Sequence, residues 1–166
     1  MLVSHTEYAP CLRLDQVIRP AASGVLNAVA AVNQVAWITG ASSGIGRTLA
    51  LRMHAAGWTV AVSARRAEVL AELAVRDPAR IVPVPLDVRD AAAVADSVHR
   101  IERDVGAIRT AVLSAGTYVP IRAHAFSAQV VRETFELNTF GVARARNLPP
   151  PGITAAILTS AGRSRC

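Results

Sequence analysis

The residues with chemistry to offer begin at Thr39-Gly40-Ala41-Ser42-Ser43-Gly44-Ile45-Gly46, where the apolar run Val35-Ala36-Trp37-Ile38 breaks into a turn and a helical pattern starts. Glycines at Gly40-x-x-x-Gly44-x-Gly46 let the backbone come close to an anion, and the first amides of the following helix would point at it with their dipole. The spacing differs from the G-x-G-x-x-G dinucleotide fingerprint, and an ordinary tight turn between strand and helix is the plainer alternative. Farther on, Arg65 and Arg66 follow a second apolar run and offer guanidinium forks matched to phosphate, unless they are two solvated arginines that open a helix. Asp87 stands in Leu86-Asp87-Val88, either as a site acid or as a helix-entry residue at a strand end.

Composition removes several kinds of chemistry. All 18 basic residues are arginine, so mechanisms that need a lysine, such as a Schiff base or a Walker-type phosphate lysine, are excluded for these 166 residues. The net charge of +6 is spread at one or two arginines per element, without a basic run or interleaved aromatics, which argues for a solvated surface and against nucleic acid. His5, His54, His99 and His124 form no ligand-like pair, and Cys11 and Cys166 have no metal-like spacing. The expectation is a reduced, cytoplasmic protein with no metal site and no structural disulfide. No apolar run is long enough to span a membrane.

The elements that would hold these residues follow from periodicity and punctuation. Arg47 to Ala56 reads as a helix stopped at Gly57, and Thr59 to Ser63 as a short buried strand, so strand, helix and strand form a βαβ unit. Glu68 to Ala74 reads as a second helix. The run Ile81-Val82-Pro83-Val84-Pro85-Leu86 carries two prolines two residues apart, so both missing amides lie on one side, as an edge strand allows. Asp90 is placed to cap a helix bearing Val94, Val98, Ile101 and Val105 on one face, closed by Gly106. Ile108 to Leu113 reads as strand four. A long helix from Ser127 would carry Val131, Phe135, an inward Asn138 and Val142 on one stripe, and Ile153 to Thr159 would be strand five. The fold class is thus α/β, a Rossmann-like doubly wound parallel sheet of order 3-2-1-4-5 with about five strands.

Taken together, these motifs resemble the short-chain dehydrogenase/reductase family over about residues 34 to 162. The turn is similar to that family's Thr-Gly-x-x-x-Gly-x-Gly signature. The resemblance implies that Gly40, Ser42, Ser43, Gly44, Ile45 and Gly46 hold a dinucleotide's pyrophosphate and adenosine ribose. It implies that Asp87, with Val88, meets the adenine amino group, and that Ala115 and Gly116 let the backbone approach the cofactor. Ser114-Ala115-Gly116 stands where the family has Asn-Asn-Ala-Gly, with Leu113 and Ser114 in place of the asparagines, which puts the side-chain bonds that steady the central strand in doubt. With Ala64 where an acid would select NAD, Arg65 favours NADP. Asn138 in Asn138-Thr139-Phe140-Gly141-Val142 matches the family asparagine that supports a water relay, and Ser160, with Thr159 as the close alternative, matches the serine that steadies the substrate oxygen.

The family's Tyr-x-x-x-Lys pair has no counterpart. Only Tyr8 and Tyr118 are present, and lysine is absent. The expectation is therefore an NAD(P)(H)-dependent oxidoreductase of this family in truncated, inactive form, acting on an unknown small carbonyl or alcohol. A catalytically silent dinucleotide-binding or interaction module is the alternative. Residues 1–34 read as a flexible extension, 35–162 as an incomplete NADP-binding domain and 163–166 as a tail. Loss of covering elements would leave a sheet edge open to self-association.

Overall fold

The computed structural model describes residues 34–120, 124, 126–146 and 154–157. Strand β1 (Val35–Thr39) leads into α1 (Gly44–Ala55), followed by β2 (Thr59–Ser63), α2 (Ala67–Ala74), β3 (Ile81–Pro83), α3 (Ala91–Asp104) and β4 (Ile108–Leu113). The chain continues through α4 (Ala128–Phe135), a π-helical turn (Glu136–Gly141), α5 (Val142–Arg146) and the short β5 (Thr154–Ile157). The sheet is parallel, with β3-β2-β1-β4 in the order expected and Thr154–Ile157 paired beside β4. The order reverses between β1 and β4, and at such a switch point a doubly wound fold opens a crevice beyond the carboxyl ends of its strands.

Both faces of β1 are buried, so its apolar run is continuous and does not alternate. Ala36 and Ile38 join Val60, Val62, Leu49, Met53 and Leu70 beneath α1 and α2. Val35 and Trp37 pack on the other side with Val94, Val98, Ile101 and Leu113, beneath α3. The Trp37 indole N–H, wholly buried, donates to Ser63 Oγ at 3.0 Å. Helix α3 has the apolar face expected, and Asp90 caps it by accepting from the Ala93 amide at 3.0 Å.

The prolines are explained by pairing. The amides of Val84 and Leu86 donate to Val62 and Ala64 carbonyls at 2.9 and 3.0 Å, so Pro83 and Pro85, at alternate positions, lack amides only on the side away from β2. The strand itself is shorter than the sequence run, ending at Pro83.

Two expectations are corrected. Helix α1 starts at Gly44, inside the glycine turn, and not at Arg47. The stripe Val131, Phe135, Asn138, Val142 does not form one buried face: α4 buries no residue, and Phe135 is 56% exposed. A π-helical turn spends extra residues per turn, so the 3.6-residue register carried from Val131 fails to reach Val142 in phase. Asn138 sits within that turn and satisfies its amide on the loop after β4: Oδ1 accepts from the Thr117 N–H at 2.8 Å and Nδ2 donates to the Thr117 carbonyl at 2.7 Å.

The ends of β1 and β4 are tied by one hydroxyl. Thr39 Oγ1, 1% exposed with its residue, accepts from the Ser114 and Ala115 amides at 3.1 and 3.2 Å, and Ser114 Oγ donates back to the Thr39 carbonyl at 3.0 Å. Replacing Thr39 by Val keeps the shape and leaves two amides without their acceptor. A loss of roughly 1–3 kcal/mol in urea unfolding, followed by tryptophan fluorescence, is expected; an unchanged midpoint would contradict this role.

Candidate dinucleotide site

A cleft of about 330 Å³ opens at the carboxyl ends of β1, β2 and β4, within the size range of small-molecule sites. Its lining includes Gly40, Ser42, Ser43, Gly44, Ile45, Gly46, Arg65, Asp87, Val88, Ala115 and Gly116, the full set named for the cofactor from the sequence. Ala64, Ser114 and Leu137 line it too. Apart from Leu137, which the π-helical turn supplies, these residues come from four separate parts of the chain, and the sheet brings them together because each ends or follows a strand of the same parallel set.

Local geometry explains how the turn is held. Ala41 donates to the Ser63 carbonyl at 3.1 Å, which binds the turn to β2. A Cβ on Gly40 would stand 2.6 Å from the Ser114 carbonyl oxygen and 2.8 Å from Ala115, and its φ is +70°, so this position admits glycine for two independent reasons. Gly44 also has a positive φ, +57°, yet a Cβ there would meet nothing within 4 Å. The space beside Gly44 is therefore open at the first turn of α1. Ser43, the N-cap, makes no side-chain cap, and the first turn contains no acid. Uncapped first-turn amides facing an open concavity suit an anion.

Arg65 and Arg66 are both exposed at the end of β2. Arg65 lines the cleft, and Arg66 Nη2 donates to Ser42 Oγ at 3.3 Å, which links the arginine pair to the glycine turn. Ser114 corrects one doubt: although the family asparagine is absent, its hydroxyl and amide both bond Thr39, so the side-chain support at this strand end is present.

Arg89 is the residue that sequence reasoning missed. Its amide and Nε donate to Asp87 Oδ1 at 3.0 Å each, and its Nε and Nη2 donate to Oδ2 at 3.0 and 2.6 Å. The Arg89 hydrogen bonds hold the Asp87 carboxyl below the usual range, against an upward push from burial, with a smaller attraction from Arg65. Asp87 in turn raises Arg89, to which Glu133 and Glu136 add weaker attraction. The i, i+2 spacing Asp87-x-Arg89 was the available signal.

Asn138 is not among the lining residues, although its neighbour Leu137 is, and its side chain is committed to Thr117. Ser160 and Thr159 lie outside the described residues, as do Tyr8, residues 1–33 and the tail 163–166. Tyr118 is 77% exposed. Among the described residues there is no group of three or more metal-ligating side chains and no helix long and apolar enough to cross a membrane.

The parallel sheet, the glycine turn at its switch point and the cleft above it define a doubly wound α/β protein with a candidate dinucleotide site. Residues 34–149 match the short chain dehydrogenase family, and the chain belongs to it. It is 32% identical over 120 residues to the 2,3-dihydro-2,3-dihydroxybenzoate dehydrogenase of Bacillus subtilis (strain 168), covering 70% of this chain and 46% of that protein. It is 37% identical over 87 residues to sulfoacetaldehyde reductase 2 of Chromohalobacter salexigens, covering 51% of this chain and 34% of that one. Among solved structures, the short-chain dehydrogenase/reductase SDR:Glucose/ribitol dehydrogenase from Brucella melitensis superposes with a TM-score of 0.70 at 27% identity, over 76% of this chain and 56% of that one. A short-chain dehydrogenase from Streptomyces avermitilis gives 0.68 at 32% identity, over 76% and 47%. The chain thus spans about half or less of the length of these relatives. The family binds NAD(P), and the open space at Gly44, the uncapped amides and Arg65 fit such a group.

The Asp87–Arg89 pair has a defined pH response. A carboxylate held below its unfolded value contributes stability that is fully present above that value, about 3.9, and is lost as pH falls through the lowered folded value. The contribution is therefore flat from pH 5 to 8. In an Arg89→Ala variant, Asp87 should titrate upward toward its ordinary value when followed by carboxyl NMR; an identical midpoint in both proteins would contradict the pairing.

Proposed function

We propose that these residues form the NADP(H)-binding part of an oxidoreductase that acts on a small carbonyl or alcohol. The observation that carries this reading is the convergence, on one cleft, of the whole cofactor set drawn from the glycine turn, Arg65, Asp87-Val88 and Ala115-Gly116. When bound, the nicotinamide supplies or accepts hydride. The chain's own part is to bind and orient. The first-turn amides of α1 and the open backbone at Gly44 hold the pyrophosphate, Gly40 keeps β1 and β4 close enough to shape the floor, and Asp87 with Val88 faces the base. Arg65 gives the preference for NADP: its guanidinium can pair with a 2′-phosphate, and Ala64 offers no carboxylate to repel one. Asn138 fixes the Thr117 loop above the cleft, and Ser160 is assigned to the substrate oxygen. A cytoplasmic setting accords with two cysteines that lack metal-like spacing.

The absence of lysine from the 166 residues favours a second reading, a nucleotide-binding module without turnover of its own. Exposed Tyr118, Phe126, Phe135 and Phe140 offer apolar surface through which such a module would associate with itself. Under either reading these 166 residues lack the Tyr-x-x-x-Lys pair, and loss of a positioned proton donor typically removes a rate factor of roughly 10²–10⁴.

Calorimetric or fluorescence titration with NADPH and NADH checks cofactor choice. NADPH should bind at least about tenfold more tightly, a difference of about 1.4 kcal/mol, and Arg65→Asp should abolish or invert the preference. Equal affinities that the variant leaves unchanged would remove the basis for NADP. In the same preparation, NADPH consumption with a panel of ketones, aldehydes and quinones should stay at background. Robust turnover abolished by Tyr118→Phe would overturn the assignment of inactivity to this chain alone.

A further inference from the structure

The acid that faces the base end of the cleft is already occupied by its own chain. Asp87 lines the cleft, yet Oδ1 receives the Arg89 amide and Nε, while Oδ2 receives Nε and Nη2, at distances of 2.6 to 3.0 Å. A carboxylate has about four lone-pair sites, and three Arg89 N–H groups, with Nε shared between both oxygens, take up most of them. An incoming amino group on the purine ring would meet the guanidinium on both oxygens of Asp87 and compete with it for them. The Arg89 side chain can turn away, being 42% exposed and anchored to nothing else among its hydrogen bonds.

Resting on the dinucleotide reading above, we infer that Arg89 competes with the adenine amino group for Asp87, acting as a latch that weakens selection for adenine at this site. The backbone bond from the Arg89 amide to Oδ1 belongs to the local turn and survives when the side chain leaves, so Asp87 stays in place while its outer lone pairs are freed. Arg89 is accordingly a specificity residue that acts through Asp87. The effect is bounded by the exposure of the pair: exposed ion pairs correspond to about two- to fivefold in an equilibrium constant.

The discriminating experiment measures the affinities of NADPH and of its purine analogue, in which hydrogen replaces the exocyclic amino group, for the wild-type chain and for Arg89→Ala and Arg89→Gln. The ratio of the two affinities cancels the general attraction of a cation for a polyanion. In both variants it should rise about two- to fivefold in favour of adenine. An unchanged ratio would overturn the latch, and a falling ratio would show instead that Arg89 orients Asp87 for the base. If wild type and variants alike bind neither dinucleotide while remaining folded by circular dichroism, the cofactor reading fails and the latch fails with it. Binding of both dinucleotides with an unmoved ratio removes the latch alone.

Discussion

The candidate site depends on how closely β1 and β4 end beside each other. Thr39 Oγ1 accepts two amides from the Ser114-Ala115 step, Ser114 Oγ returns a bond to the Thr39 carbonyl, and Gly40 has no Cβ to push that step away. These contacts set the floor of the crevice and the direction in which the glycine turn leaves the sheet. The turn then delivers the first amides of α1 to the open side of the cleft.

Electrostatics is layered on that frame with little waste. The first turn of α1 contains no acid, so its dipole is not neutralised from within. Arg65 adds a formal charge beside it, and the acid nearest to the cleft, Asp87, is paired with Arg89 and contributes little free negative potential. The positive character of the cleft thus comes from amides and one arginine, not from the scattered surplus that gives the chain its +6 charge. A local site of this kind would favour a phosphate seated on the first turn of α1 over polyanions in general.

Much of the architecture could be read from the sequence, because its signals were local. The double proline in Ile81 to Leu86 announced an edge strand through missing amides, and Val84 and Leu86 donate to β2 as that reading requires. The parallel order around β1 followed from strand and helix alternation, and the cleft residues followed from strand ends. What stayed hidden depended on side-chain direction or on departure from regular geometry. The π-helical turn at Glu136–Gly141 has no composition of its own, and periodicity does not show that α4 buries no residue, so the run from Val131 to Val142 suggested a buried stripe although Phe135 faces solvent. The partner of Asn138 was likewise invisible, since Thr117 reaches it through its backbone. Ser114 was underestimated because replacement of an amide by a hydroxyl suggested loss, whereas a hydroxyl at this distance still reaches Thr39.

The central claim is that an anion-bearing dinucleotide seats on the first turn of α1, at the carboxyl ends of β1 and β4. The most direct measurement is an amide NMR titration of the ¹⁵N-labelled chain with NADPH. The account predicts that the largest shifts fall on Gly44, Ile45, Gly46, Ala115 and Gly116, with smaller ones at Arg65 and Val88. The groove at the opposite end of the sheet, lined by Thr59, Ala79, Arg80 and Arg100, should remain unmoved. Shifts concentrated in that groove, or spread over exposed arginines with no focus at Gly44, would contradict it.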